Sequence, residues 1–574
     1  MTTTAPAPLP SEIRTLIDRI ARRTRLRRAE RVEIARELEA HFRDGLGAGR
    51  GAGDLIRDFG DPVASAKRLR SGALSKRSPL DRAFRKTMIA ALWVIGSFMG
   101  LYAIAAVYLG ANPPVISFDP VATYVATIPT APADQQAWPH YKRGLVALSD
   151  PGSKPATFKS WGDDSWGDDL AASLPGRPGW DARRALLIER RSGIDAILAG
   201  SKWAVLGYTP VIGHKPDDAE VHFYDPAQAQ PTQAEFPMLY LLLPHLSSLR
   251  TAAKFAAADA FLSIESGDSA RFTADIDAIL AIAIHAEEGD ILISQLVGTA
   301  IRHLAFNRVV MALEWMPERL SDADLEHVAN SLRSIPPTAY ECNLSTEALC
   351  LLDLLQRTYS DDGDGDGYFN ASAGMPALRE IEAISYPGPR GSDQGKALAT
   401  LSMVASPIAA FTFASRKEIV DLQTEFFRKT EEMSRRPLWQ QDFKHEAEFE
   451  AMMRASAMAE VKWTIPRLLM PAVAKAAQSR RLGEGYCQSA LFAIAMEQYR
   501  RAHGAWPATL AELAPAFLPA APVDPYDGKP LRYRVVGGTP VAWSVGRDLR
   551  DDGGSETDWI WFVGDDDLKR WQTP

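Results

Sequence analysis

"SLRTAAKFAAADAFLSIESGDSARFTADIDAILAIAIHAEEG", residues 248–289, is the stretch that decides the fold. Its apolar residues recur at three- and four-residue intervals on both sides of "SGDS", the pattern of two amphipathic helices broken once. Alanines occupy the packing points, and Gly267-Asp268 stands at the turn. The pattern predicts a helical hairpin. "ILISQLVGTAIRHLAFNRVVMALEW" (291–315) and "SDADLEHVANSLRSI" (321–335) carry it on, and "AWPHYKRGLVAL" (137–148) opens it. Residues 136–480 thus read as a large, mostly helical domain.

The cadence resembles a tetratricopeptide-like helix pair. It does not recur at that family's fixed period, so helical hairpins are expected here and not a repeat array.

Upstream, "TMIAALWVIGSFMGLYAIAAVYLG" (87–110) carries no charge. About 20 apolar residues at roughly 1.5 Å each cross a bilayer core of about 30 Å. Lys76, Arg77, Arg82, Arg85 and Lys86 crowd the N-terminal flank. Residues 1–86 hold 20 Lys+Arg against 11 Asp+Glu, a balance of +9; with −8 overall, the remainder carries −17. This asymmetry predicts an uncleaved signal anchor in the inner membrane. The N-terminus is then cytoplasmic, and residues 111–574 are extracytoplasmic, in the periplasm. The anchor flank accounts for the basic segment, so nucleic acid is not expected as a partner. Gly96 and Gly100 form GxxxG, a close-approach face for a homodimer. The Pro-rich residues 111–135 read as an extended stalk. "ALATLSMVASPIAAFTFAS" (397–415) is also uncharged, but Ser406-Pro407 is the signature of an N-cap and first-turn proline. A buried helix starting there is expected in preference to a second span.

Residues 1–80 read as a small domain of short helices. Ile13, Leu16, Ile17 and Ile20 share one helical face; Val32, Ile34, Leu38 and Phe42 repeat the pattern, and "GLGAGRGAG" makes a glycine hinge. Glu37, Leu38 and His41 precede "FGDP" (59–62), and this arrangement resembles the HAAS-type signalling domains of bacteria.

Residues 484–574 change character. A helix, "EGYCQSALFAIAMEQYRRAHG" (484–504), is followed by three alternating runs: "LRYRVV" (531–536), "PVAWSV" (540–545) and "DWIWFV" (558–563). They predict an α+β module with a three-stranded antiparallel meander. Tyr499, Gly504, Trp506, Pro507, Leu510, Asp524-Pro525-Tyr526, Gly528, Pro530, Tyr533, Ser544, Gly546, Asp548, Gly553-Gly554 and Asp558 follow one another in a specific order. In this order the module resembles the C-terminal domain of the major pseudopilin of type II secretion. The resemblance implies a Ca²⁺ loop with Asp548 and Asp558 as the best matched carboxylates, and with Asp551 or Asp552 beside them. Calcium takes hard oxygens from carboxylates and carbonyls, and glycines let the backbone present them. From composition alone, a solvated Asp-Gly turn fits equally well.

"SDDGDGDGYFN" (360–370) begins like an EF-hand loop, with Asp362, Asp364, Asp366 and then Gly367 at the sharp turn. Its twelfth position is Ala373, not the bidentate glutamate. It is a second calcium candidate, or a flexible acidic loop. "SWGDDSWGDD" (160–169) reads as a solvated insertion in preference to an exposed contact loop.

No catalytic motif stands out. "HEAEF" (445–449) lacks the second histidine of a zincin, GxSxG is absent, and His245, His285 and His303 lie in predicted helices, where structural roles are commoner. Cys342, Cys350 and Cys487 form no zinc pattern. Overall the chain resembles large, membrane-anchored envelope proteins of planctomycete-type bacteria. A scaffold or protein-interaction role, with protein partners, is expected. The alternative is an extracytoplasmic enzyme, hydrolase-like, with its site in a cleft of the helical domain. Buried titratable residues converging in a pocket favour the enzyme; a long apolar groove favours binding.

Overall fold

In the N-terminal unit, α1 (Ser11–Arg23), α2 (Arg28–Gly47), α3 (Ala52–Phe59) and α4 (Pro62–Ser75) enclose Ile13, Ile17, Ile20, Ile34, Leu38, Phe42 and Leu55. The computed structural model describes residues 8–76, 79–148, 179–208, 210–212, 238, 241–374, 407–410, 412–442, 444–469, 471–555 and 558–563. Its contacts divide the chain into two compact units, Met1–Ile104 and Ala105–Pro574. Val32, expected on the core face of α2, is exposed. It lies two residues before Ile34, about 200° around the helix axis. The glycine hinge contracts to residues 48–51, because α2 runs on through Gly45. A Cβ at Gly45 would lie 2.7 Å from Leu55 Cδ2, so this glycine serves helix packing. Asp61 caps α4 by accepting from the Val63 and Ala64 N–H groups, with Pro62 in the first turn.

The next helix, α5 (Pro79–Ala111), contains Lys86–Ala111, long and apolar enough to cross a membrane, with a mean hydropathy of 2.0 over its best window. Trp93, Val94, Phe98 and Ile104 all project from it exposed.

In the second unit, α6 (Pro120–Val125) lies within the segment expected to be an extended stalk. Asp119 caps it, and Val121, Tyr124 and Ile128 are buried with Met238. The capping residues Asp119-Pro120 give the physical reason for this difference: they start a helix as Asp61-Pro62 do. Next come α7 (Trp138–Leu148), α8 (Trp180–Glu189) and α9 (Arg191–Gly200). Helices α7 and α9 cross closely at Gly144, where a Cβ would lie 2.6 Å from the Gly193 carbonyl oxygen. β1 (Val211–Ile212) and β2 (Leu241–Leu242) make a minimal antiparallel pair.

The decisive hairpin forms as α10 (Pro244–Ser266) and α11 (Ser269–Glu287). Gly267 closes α10 in the left-handed region (φ +76°), and Asp268 opens α11 by accepting from the Arg271 N–H. The third helix, α12 (Leu292–Trp315), also passes the length and hydropathy test for a span, but most of that window is buried inside the fold. It is followed by α13 (Asp322–Arg333), α14 (Ser345–Thr358), α15 (Arg416–Ser434), α16 (Lys444–Met453), α17 (Ala457–Lys462), α18 (Thr464–Leu469) and α19 (Pro471–His503). Phe261, Phe272, Ile276, Ile279, Ile301, Phe306 and Phe492 lie in one core. His245, His285 and His303 sit in these helices, and burial pushes them down to about 3, 4 and 4. His285 is held neutral between Tyr141, whose hydroxyl lies 2.8 Å from Nδ1, and the Trp203 carbonyl, 2.9 Å from Nε2. Pro407–Ala410 is helical with Ala409 and Ala410 buried, as the proline signature predicts. Residues 397–406 and the duplicated loop at 160–169 lie outside the described residues.

At the C-terminus β3 (Arg532–Val536), β4 (Thr539–Ser544) and β5 (Trp559–Val563) form an antiparallel sheet in the order β3-β4-β5, within a residue of the predicted runs. The helix before them starts at Pro471, not near Glu484. Gly483 and Gly485 are packing positions inside it. A Cβ at Gly483 would lie 3.0 Å from Thr299 Cγ2, and one at Gly485 3.0 Å from the Trp559 ring. Phe492 of α19 packs against Trp561 and Phe562, so the sheet and the helices share one core.

Candidate functional site

A cleft of about 550 Å³ opens between the ends of α11 and α12 and the flanks of α15 and α19. Its floor is a buried ion network. Arg302 of α12 holds Glu287 in a two-pronged bond, Nη1 to Oε1 at 2.7 Å and Nη2 to Oε2 at 2.5 Å. Arg480 of α19 donates to the same Oε1 at 2.9 Å, and to the carbonyls of Gln295 (2.7 Å), Ala339 (2.9 Å) and Glu341 (2.7 Å). Both arginines are almost wholly buried. Charges taken that far from water survive only when paired and hydrogen-bonded, and here the network satisfies both.

The wall is the turn between α11 and α12. Asp290 adopts φ +57°, a left-handed conformation that aspartate tolerates better than most residues. Its carboxylate accepts from Asn343 Nδ2 at 2.6 Å, and Gln295 Nε2 ties the Asp290 and Asn343 carbonyls together. Burial raises the Asp290 carboxyl above its usual range. Behind this turn, Glu347 in the first turn of α14 accepts from the Leu292 N–H at the start of α12, at 2.5 Å. Burial pushes Glu347 up to about 7, and its second oxygen is buried without a hydrogen-bond partner among the described residues. At the rim Arg435 faces Glu341 at 3.6 Å. The Cys342 thiol on the wall is pushed up to about 12 by burial, far from a reactive thiolate. The two buried arginines, Arg302 and Arg480, are spent on the protein itself.

The carboxylates of the two acidic loops go elsewhere. Asp362 accepts the Tyr108 hydroxyl at 2.6 Å, and this bond holds its carboxyl below the usual range. Its other oxygen accepts from the Asp364 N–H, while Asp364 and Asp366 stay exposed. Gly367, placed by its sequence context at the sharp turn of a calcium loop, is needed for another reason: a Cβ there would overlap the Ser360 carbonyl. Ser360 and Tyr368 close the loop's neck through the Ser360 N–H to the Tyr368 carbonyl and the Tyr368 N–H to Ser360 Oγ, each 2.9 Å.

In the C-terminal loop Asp548 is exposed and accepts from the Arg550 N–H. Asp551 accepts from the Trp543 indole at 2.9 Å, which lowers its carboxyl, and faces Arg532 at 3.5 Å. Asp558 is buried and accepts from the Asp552 and Gly554 N–H groups. The organising carboxylate is Asp524, fully buried, which accepts from Arg532 (2.6 Å), Ser544 Oγ (2.7 Å), Tyr526 N–H (2.8 Å) and Val545 N–H (2.9 Å). Arg532 also holds Asp527 through both terminal nitrogens, at 2.5 and 3.1 Å. A guanidinium thus stands among Asp524, Asp527 and Asp551. Among the described residues no three His, Cys, Asp or Glu side chains are grouped to hold a metal, and all seven predicted calcium ligands belong to that set. Protein donors occupy the carboxylates of Asp362, Asp551 and Asp558, whereas Asp364 and Asp366 stay exposed. No family model, curated protein or solved structure matches the chain.

Proposed function

We propose that this chain is a single-pass, membrane-anchored scaffold or protein-interaction protein of a bacterial cell envelope. Residues 1–80 are its cytoplasmic part and 111–574 its extracytoplasmic part. The helix Lys86–Ala111 carries this reading. Only 6% of its best window is buried, and a soluble protein does not leave a continuous apolar surface of this size in water. The cation-rich flank before it and the acidic chain after it support the orientation. The helical hairpins support the interaction reading, while the cleft, where titratable side chains converge, is what the second reading draws on. A second reading, a hydrolase-like enzyme, draws on Asp290, whose raised carboxyl and left-handed backbone at the cleft wall are features that active sites favour.

Paired fusions test the proposal. Alkaline phosphatase after Pro574 is expected to be active and green fluorescent protein at the same point dark. The reverse result overturns the orientation, and release of the full chain from membranes by carbonate overturns the anchor.

A further inference from the structure

The last turns of the apolar helix are covered by protein. Ile104 and Val107 are 66% and 73% exposed, whereas Ala105 and Leu109 are 7% and 5% exposed. Tyr108 donates its hydroxyl to Asp362, and its ring meets the edge of Tyr368 at 5.8 Å between centroids. The chain leaving the helix is held down as well. The Ser117 N–H donates to Gln356 Oε1 at 3.0 Å, and Gln356 Nε2 donates to the Phe118 carbonyl at 3.2 Å. Around this exit, Val115, Ile116 and Tyr368 present their side chains to the outside at 47%, 44% and 40%.

The length of the helix sets the level at which this collar sits. Twenty-six residues from Lys86 to Ala111 rise about 39 Å, roughly 9 Å more than a hydrocarbon core needs. With Lys86 at one boundary, the excess falls at Tyr108, a ring suited to the headgroup region. Whatever touches Tyr108 then lies at the same depth. We propose that Val115, Ile116 and Tyr368 insert into the headgroup–acyl boundary of the lipid bilayer, so that the second unit rests on the membrane surface. This proposal rests on the anchor reading. The occupant is the apolar boundary and not an anionic headgroup, because the adjoining loop carries Asp361, Asp362, Asp364 and Asp366.

The experiment uses the full chain in phosphatidylcholine bilayers, with the three native cysteines replaced by alanine. Single spin labels are placed through Ile116→Cys, Tyr368→Cys, Phe98→Cys and Val536→Cys. Collision with dissolved oxygen and with a water-soluble nickel chelate reads the depth. Labels at 116 and 368 are expected at the headgroup–acyl boundary, the label at 98 deep in hydrocarbon, and the label at 536 in water. Water-like values at 116 and 368 with lipid values at 98 overturn the collar and leave the anchor standing. Shielding of 116 and 368 from both reagents means a protein covers them, and also overturns it. A water-exposed label at 98 sinks the anchor reading itself.

Discussion

Residues 360–368 and residues 544–558 are both runs of aspartate and glycine between apolar elements. The first loop is closed at its neck by Ser360 and Tyr368 and turns a single carboxylate toward Tyr108. The second is folded onto Asp524 and Arg532, with Asp558 buried beneath its own backbone. Composition is shared and fate is not. What decides is the donor each fold delivers: a phenol at the end of an apolar helix in one case, a half-buried guanidinium and backbone N–H groups in the other.

The largest effect expected from this contrast is at Asp524. Asp524→Ala removes the acceptor of four donors and leaves the Ser544 hydroxyl and the Tyr526 and Val545 N–H groups without their partner, at a cost of about 3–5 kcal/mol in chemical denaturation. Asp362→Ala is expected to leave the denaturation midpoint nearly unchanged; equal losses in the two variants would erase the distinction. Next is Glu347, whose environment is opposite to that of the loop carboxylates. Its raised value means the fold prefers the neutral form, so its contribution is complete below pH 4.5 and is lost as pH rises through about 7. That span corresponds to roughly 3 kcal/mol. Glu347→Gln should therefore stabilise the protein at pH 8 and do little at pH 5; a pH-independent effect refutes the assignment. Asp551 and Asp362 are lowered, so their contributions stand above the ordinary carboxylate range and fade in acid. A smaller, local change is expected from Tyr108→Phe: faster proteolytic nicking at 361–366 without a shift of the global midpoint. The smallest effect is none at all. Millimolar calcium should leave the melting temperature of the full chain unchanged, and a rise would show that the folded chain binds the ion.

Much of the architecture was legible. The hairpin at 244–287 follows its apolar spacing and its Gly-Asp turn, the three strands follow their alternation, and Lys86–Ala111 follows from charge and hydropathy. The cleft was not legible, because its pairs are distant in sequence. Glu287 and Arg480 are joined by tertiary packing across 193 residues. Asp524 was visible as a motif residue, but its four donors come from four different positions. The helix start at Pro471 was not read from the sequence, and Gly483 and Gly485 inside it serve close packing. A partial signal for the cleft did exist: "EEGDI" (287–291) puts three carboxylates beside a left-handed turn.

Helix α19 places Arg480 in the cleft and Phe492 under the sheet. Its 33 residues extend about 50 Å, which makes it a strut shared by two structures that sequence alone would separate. A cut between Arg480 and Phe492 parts the guanidinium that holds a buried glutamate from the ring that packs against tryptophan. The boundary drawn at residue 484 is therefore a seam in composition that carries no mechanical joint.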